Sequence, residues 1–463
     1  MDYIPAGVFQ RQLARLSRQD LSDRLSAIRA LSAVRGLRYL DDNSRPRTIM
    51  LASAPWLLTR QQMAFFGTVA QQLIGGLLRL PALYARHRAI REILPFDPAQ
   101  RSWLRLAAHP RHGPLAVMGR LDSTATFSHR AWRREFQMLE ANAVGVGGVH
   151  YAPAGCSILL DVFGDLLERT APGRRVVPTP DPRQLLLEEL AGTARRLGRR
   201  LRGIALLENT DYTTGTDEFS SLAAHFNRVG LTAVVADPRD LRYARGRLLA
   251  RGTAVDLLYR DSELSEFIEM EGGGHRLAAL RQAIREGRLI SGLLWEYDLK
   301  SAWDVFTDPA WGRHFTPGQR ALFRAHLPWT RLVRDARVSD PAGRSMELLP
   351  YIRRHKDQLV LKPNTLYGGQ GVTIGVRATQ AQWERKLAQA LRGPIRYVVQ
   401  RRAQIRSERF PAWDDGRLRD VERRVVSGFF VTSTGVGLVG RFSEDPVVNV
   451  SRGGGLLSAL LVQ

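Results

Sequence analysis

The sequence predicts a mixed α/β protein of two or three packed domains. Its 463 residues exceed what one ordinary core holds. Apolar strand-like runs alternate with helical segments between residues 203 and 259, as in a small parallel α/β unit. The first hundred residues instead carry apolar positions at helical spacing. An apolar fraction of 44% with interspersed charges places the chain among globular proteins rather than disordered ones.

Residues 1–100 read as a helical region, through Leu13, Leu16, Leu21 and Leu25 and again from Met63 to Leu80. The most apolar part, around Val69 to Tyr84, is interrupted by Gln71, Gln72 and Arg79 and reads as too short and too polar to cross a bilayer, so no membrane partner is expected. A second unit, 101–175, opens with strand-like runs at 115–122 and 136–142, followed by a glycine-bearing loop ending near Gly155. A third, 176–310, starts with a proline-rich stretch at 176–182 and an amphipathic helix at 184–197. Its apolar runs at 203–207, 232–235 and 255–259 then define the α/β unit. No G-x-G-x-x-G follows the first of them, which argues for a substrate-side domain rather than a dinucleotide site. The last unit, 311–463, mixes strands, two glycine-rich loops and a helix at 380–391.

The single cysteine, Cys156, cannot form an internal disulfide, and no secretory pattern opens the chain, so a cytoplasmic setting is expected. The net charge of +23 raises the idea of nucleic acid. The arginines, however, are spread from Arg11 to Arg452, with no basic tail and no nucleic-acid-binding motif, so nucleic acid stands only as a fourth reading, which salt-dependent duplex binding would reveal. Lysine occurs only at Lys300, Lys356, Lys362 and Lys386. In a chain that otherwise writes arginine, each lysine marks a place where a compact ammonium is wanted.

Three motifs carry chemistry. At 359–375 an apolar strand delivers Lys362, and a loop containing Tyr367, Gly368, Gly369, Gln370 and Gly371 turns into a second strand. Glycines there let backbone N–H groups close on phosphate oxygens beside the lysine charge; a tight hairpin with an exposed lysine is the alternative. Next, Arg120-Leu-Asp122 and Glu140-Ala-Asn142 lie on neighbouring strand-like runs, and residues two apart share a face. Asp122, Glu140 and Asn142 then converge as hard oxygen ligands suited to Mg²⁺, or form an ordinary charged strand pair. Finally, Gly440-Arg441 and the stretch 447–455, with Asn449 and three glycines, fit a loop wrapping a charged acyl or phosphoryl group, or a loop without a role.

Together these motifs resemble the ATP-grasp superfamily, and the order of acids at 122–142 before the lysine at 362 resembles its circularly permuted members, distant relatives of glutathionylspermidine synthetase. The stretches 255–260, 326–331 and 397–401 are further similarities, and the resemblance spans roughly 100–463. It implies an ATP-grasp fold with permuted motif order and an ATP- and Mg²⁺-dependent ligase. That ligase would join a small-molecule or peptide carboxylate to an amine through an acyl-phosphate. Lys362 would hold the α/β phosphates, 367–371 would cover the β/γ phosphates, and Asp122, Glu140 and Asn142 would bind Mg²⁺. Arg120, placed as in D-alanine:D-alanine ligases, and Arg441 would stabilise the reacting groups, and Asn449 would bind the cofactor. Val399, Gln400 and Arg401 resemble the adenine hinge, although relatives carry Glu at the position of Gln400. Cys156 and the histidines need no catalytic part. A phosphotransferase and a non-catalytic ATP-binding module are the alternatives.

Overall fold

The computed structural model describes the chain except residues 1, 42, 108–115, 126, 212–214, 415–416, 449 and 451–453, and gives only the backbone of 215, 216 and 414. It is a mixed α/β structure with several sheets. The largest sheet runs in the order Met50–Leu51, Gly455–Leu457, Val436–Ser443, Arg417–Val431, Gly119–Thr124, Met138–Asn142, with Ser407–Asp414 also paired to Arg417–Val431. Apart from the parallel pairing of the first two, the neighbours are antiparallel. Strands far apart in sequence thus lie side by side: Asp122 stands opposite Gly428 on one flank and Glu140 on the other.

A small lobe has its own core. Thr330–Leu332, Tyr397–Arg401, Leu359–Pro363 and Thr373–Ile374 form an antiparallel sheet. The helices Leu348–Arg354 and Gln380–Arg392 contribute Leu348, Ile352, Trp383 and Leu387 to the core against Leu359, Leu361, Tyr397 and Val399. Strand alternation sends Lys362, Val398 and Gln400 to the opposite face. The helix Gln380–Arg392 starts in a capping box between Thr379 and Gln382, which satisfies two otherwise orphaned donors.

The α/β unit is parallel, as its alternating pattern predicts. Its strand order is Thr232–Ala236, Gly203–Leu207, Leu257–Arg260, Leu289–Ile290. Its strands are almost wholly apolar, and the helix Phe219–Arg228 packs on Thr232–Ala236.

Three local expectations are corrected. The segment 1–100 is not purely helical: Arg38–Leu40, Pro46–Thr48, Met50–Leu51 and Trp56–Thr59 are strands, the last parallel to the carboxy-terminal Ala459–Val462. Short strands of this kind carry too few residues for their period to stand out. The loop expected to reach Gly155 ends at His150, where the helix Tyr151–Thr170 begins. The helical run Arg60–Arg86 is long and apolar enough by length and composition to cross a membrane. In this fold its Phe66, Val69, Leu73 and Leu77 lie in the core, with the Phe66 ring 4.5 Å from that of Phe429 and 4.9 Å from that of Phe127.

Candidate functional site

Two strands of the large sheet build the centre of the site. Arg120 and Asn142 are register partners, as are Asp122 and Glu140, so all four side chains belong to one face. Arg120 donates to Asp122 through Nε (2.8 Å) and Nη2 (3.2 Å), and its Nη1 donates to Gly147 O at 2.7 Å. From the next strand but one, Arg441 Nη2 reaches Asp122 Oδ2 at 2.7 Å, while Asn142 Nδ2 donates to the same oxygen at 3.3 Å. Gly428 makes the crossing possible. A Cβ there would lie 2.7 Å from Arg120 Cδ and 3.0 Å from Asp122 Oδ1.

Electrostatics follow from these contacts. Burial alone would raise the Asp122 carboxyl, but Arg120 and Arg441 overcome it and hold it at about 2. Burial likewise pushes Glu140 upward, and Lys300 and Lys362 bring it below the ordinary carboxylate range. The Lys362 ammonium is lowered by burial, against the pull of Glu140. Lys362 makes no hydrogen bond or ion pair among the described residues, whereas Lys300 Nζ lies 3.5 Å from Glu140 Oε2 and donates to Leu366 O at 2.8 Å. Lys300 therefore ties the start of the glycine loop to Glu140. Sequence reasoning passed over it, although the scarcity of lysine that singled out Lys362 applies equally to Lys300.

The glycine loop is left-handed at three positions, with φ +64° at Gly368, +72° at Gly369 and +67° at Gly371, which explains their identity. It also lies close to the loop after Ser443. A Cβ on Gly369 would collide with Val447, and one on Gly371 would lie 2.8 Å from Pro363 Cγ. Tyr367 is exposed, and Gln370 N donates to Tyr367 O at 3.2 Å. Asn449, expected among the cofactor-binding residues, lies outside the described residues.

The expected adenine hinge differs from its sequence reading. Tyr397–Arg401 is flanked by strands on both sides, and Arg401 N and Arg402 N donate to Trp329 O and Gln358 O. The N–H groups of Arg401 and Arg402 are therefore committed inside the lobe and are not offered to a base. Val399 points into the lobe core and Arg401 is exposed. Gln400 is buried and bridges the lobes, its Nε2 donating to Thr330 Oγ1 at 3.0 Å and to Leu139 O at 3.3 Å.

Among the described residues no group of three or more His, Cys, Asp or Glu side chains is arranged to hold a metal. What the site offers an ion is two carboxylates, Asp122 and Glu140, and the Asn142 amide oxygen. Two lysines and two arginines surround them. Arg441 Nε is buried without a hydrogen-bond partner among the described residues, so an anion there would satisfy a donor the fold leaves unpaired.

No family model and no curated protein matches this sequence. Among solved structures, one described as a gamma-glutamylcysteine synthetase from Methylobacillus flagellatus aligns over 81% of this chain and 83% of that chain, at 14% identity and a TM-score of 0.35. A glutathione synthetase-like effector from Globodera pallida, solved in its apo form, aligns over 99% of this chain and 100% of that one, at 11% identity and a TM-score of 0.64. The latter likeness runs nearly the full length of both chains, and this protein shares the fold of that effector.

Proposed function

We propose that this chain is an ATP-grasp ligase with permuted motif order, joining a carboxylate to an amine at the expense of ATP and Mg²⁺. The observation that carries the reading is the charge arrangement. Lys362 and Lys300 face Glu140 beside an Asp122 already held by two guanidiniums, leaving excess positive charge for a triphosphate. Asp122, Glu140 and Asn142 supply the few hard oxygens that Mg²⁺ uses when phosphates and water complete its shell. When bound, the ion would supply Lewis-acid charge at the transferred phosphoryl group. The pairing of Gly119–Thr124 with Arg417–Val431 supports the permuted order, since it seats an early acidic strand among late ones.

In this reading Lys362 and the loop at 367–371 hold the phosphates. A substrate carboxylate oxygen bonds to Pγ, and the bond from Pγ to the β–γ bridging oxygen breaks to release ADP. An amine nitrogen then bonds to the acyl carbon, phosphate leaves with the C–O electron pair, and the nitrogen gives up a proton. Arg120 and Arg441 lie where the negative charge of both steps collects.

A ligand that binds only the native state raises the melting temperature by mass action. ATP with Mg²⁺ is expected to do so, EDTA to remove most of the shift, and ADP release to require an acid and an amine together. An unchanged melting temperature with ATP and Mg²⁺ would overturn the reading.

A further inference from the structure

Arg120 is fixed from two sides. Its Nε and Nη2 donate to Asp122, and its Nη1 donates to the carbonyl of Gly147 at 2.7 Å. The second contact is made to a peptide unit rather than to a side chain, so whatever holds that peptide sets the aim of the guanidinium.

The Gly147–Gly148 peptide is trans and planar, and its C=O and N–H point in opposite directions. Its carbonyl takes the Arg120 bond, while its N–H, which belongs to Gly148, donates to Glu218 Oε1 at 2.7 Å. Arg120 and Glu218 thus grip one rigid plane from its two ends. The other carboxylate oxygen, Glu218 Oε2, accepts from His150 N at 2.9 Å, and Val149 N adds a further bond to the carboxylate. Gly148 stands at φ +105°, which a side chain rarely adopts, and a Cβ there would lie 3.1 Å from Phe430 Cζ.

Glu218 is a costly residue for holding a loop. It is 3% exposed and forms no ion pair among the described residues. Burial pushes its carboxyl to about 7, against the backbone N–H groups that favour the charged form. The amides it accepts from open the helix Tyr151–Thr170, whose N-cap, His150, has no side-chain cap. A Ser, Thr, Asp or Asn at that position would satisfy such donors locally. A carboxylate drawn from 68 residues away does what a local cap cannot. It ties the loop to the helix Phe219–Arg228, which packs on the parallel strand Thr232–Ala236. Adjoining contacts repeat the tie, Asp217 N donating to Tyr151 Oη at 2.9 Å and Tyr151 Oη to Arg38 O. A carboxylate on the N–H end of a peptide also polarises it and makes its carbonyl a stronger acceptor at the other end.

We propose that Glu218 is a positioning residue for the reaction centre: through the Gly147–Gly148 peptide it aims the Arg120 guanidinium, so that the parallel α/β unit governs where negative charge is stabilised. It touches no reacting atom. The proposal rests on the ligase reading above, which gives Arg120 its catalytic part. Asp122 and Gly147 occupy Nε and one N–H of each terminal nitrogen of Arg120. The N–H left on each terminal nitrogen keeps its direction only while the peptide holds still.

The test uses the full chain and Glu218→Gln, which keeps the shape, loses the charge and turns one acceptor into a donor facing an N–H. Glu218→Asp, which withdraws the carboxylate by one methylene, carries the same measurements should the first variant not fold. In ATP-free protein a double-mutant cycle with Arg120→Lys reads the link without any turnover. The fall in urea midpoint for the double variant should be clearly smaller than the sum of the single falls. Turnover then separates aim from binding: kcat should drop about tenfold in Glu218→Gln, with KM for ATP and the ATP-dependent rise in melting temperature unchanged. Additive midpoints would overturn the inference, as would an unchanged kcat or a loss carried by KM alone. A wild type stabilised by ATP with Mg²⁺ whose cycle is additive sinks this inference alone. A coupled cycle in a protein that ATP does not stabilise sinks the ligase reading instead.

Discussion

Two sets of buried carboxylates, one on each side of the loop at 143–150, have opposite fates. Asp122 stays ionised because Arg120 and Arg441 bracket it, and it is held at about 2. Glu208, Asp261, Glu263 and Glu266 are raised to between about 6 and about 8 because no such bracket is built around them. Arginine separates the two, not burial. The protein spends guanidiniums where a charge must stand still and withholds them a few residues away, despite having them in excess.

The sharpest way to break this contrast is to remove the bracketed charge. Asp122→Asn leaves two guanidiniums facing each other in a buried site, and a loss of about 3–5 kcal/mol is expected, as when one partner of a buried pair is deleted. A carboxylate whose folded pKa is depressed stabilises the fold above its unfolded value and loses that contribution as pH falls through the folded one. The gap between wild type and variant should therefore narrow by about 2 kcal/mol between pH 4 and pH 2, read by chemical denaturation. A gap that does not depend on pH would mean the carboxylate is not held by its arginines.

Next in size is Lys362→Arg. A phosphate site that excludes the larger, planar guanidinium should lose about 3 kcal/mol of transition-state stabilisation, roughly a hundredfold in ATP turnover. Lys386, on the helix Gln380–Arg392, donates to Gln389 at 3.1 Å and lies 4.8 Å from the centre of the Tyr397 ring, contacts that a guanidinium also makes. Lys386→Arg should therefore cost only about a few tenths of a kcal/mol. Equal and mild effects at both lysines would remove Lys362 from the site.

How far each feature could be read from the sequence depended on how local its determinants are. Arg120, Asp122, Glu140 and Asn142 lie on two strands 14 residues apart, where alternation alone aligns their faces, and the observed register sets Asp122 opposite Glu140. The parallel unit was legible because its strands are continuous apolar runs that alternate with helical segments. The central place of Tyr397–Arg401 was not, because the strand reads the same as an edge or as a central one, and only Thr330–Leu332, sixty-odd residues earlier, decides which. The raised carboxylates were invisible for the same reason: Glu208 feels the charge of Asp261 only through the crossover of the sheet, and neither belongs to a motif.

The smallest expected effect tests the uncompensated side of the comparison. Glu263 is half-buried and raised to about 8 from an ordinary 4.5, first by burial and then by Glu296, Asp298, Glu266 and Asp261. For an acid shifted upward the sign reverses: the fold pays nothing below the unfolded pKa, where the group is protonated in both states, and pays progressively more until the folded pKa is passed. Glu263→Gln keeps the shape and removes the charge, so it should match the wild type at pH 4 and exceed it at pH 8.5. With solvent and side-chain relaxation discounting the full linkage value, the gain should be on the order of 2 kcal/mol, read as urea midpoints across that range. If the difference does not change with pH, the Glu263 carboxylate is already compensated in the free protein, and the contrast with Asp122 fails at its weaker end.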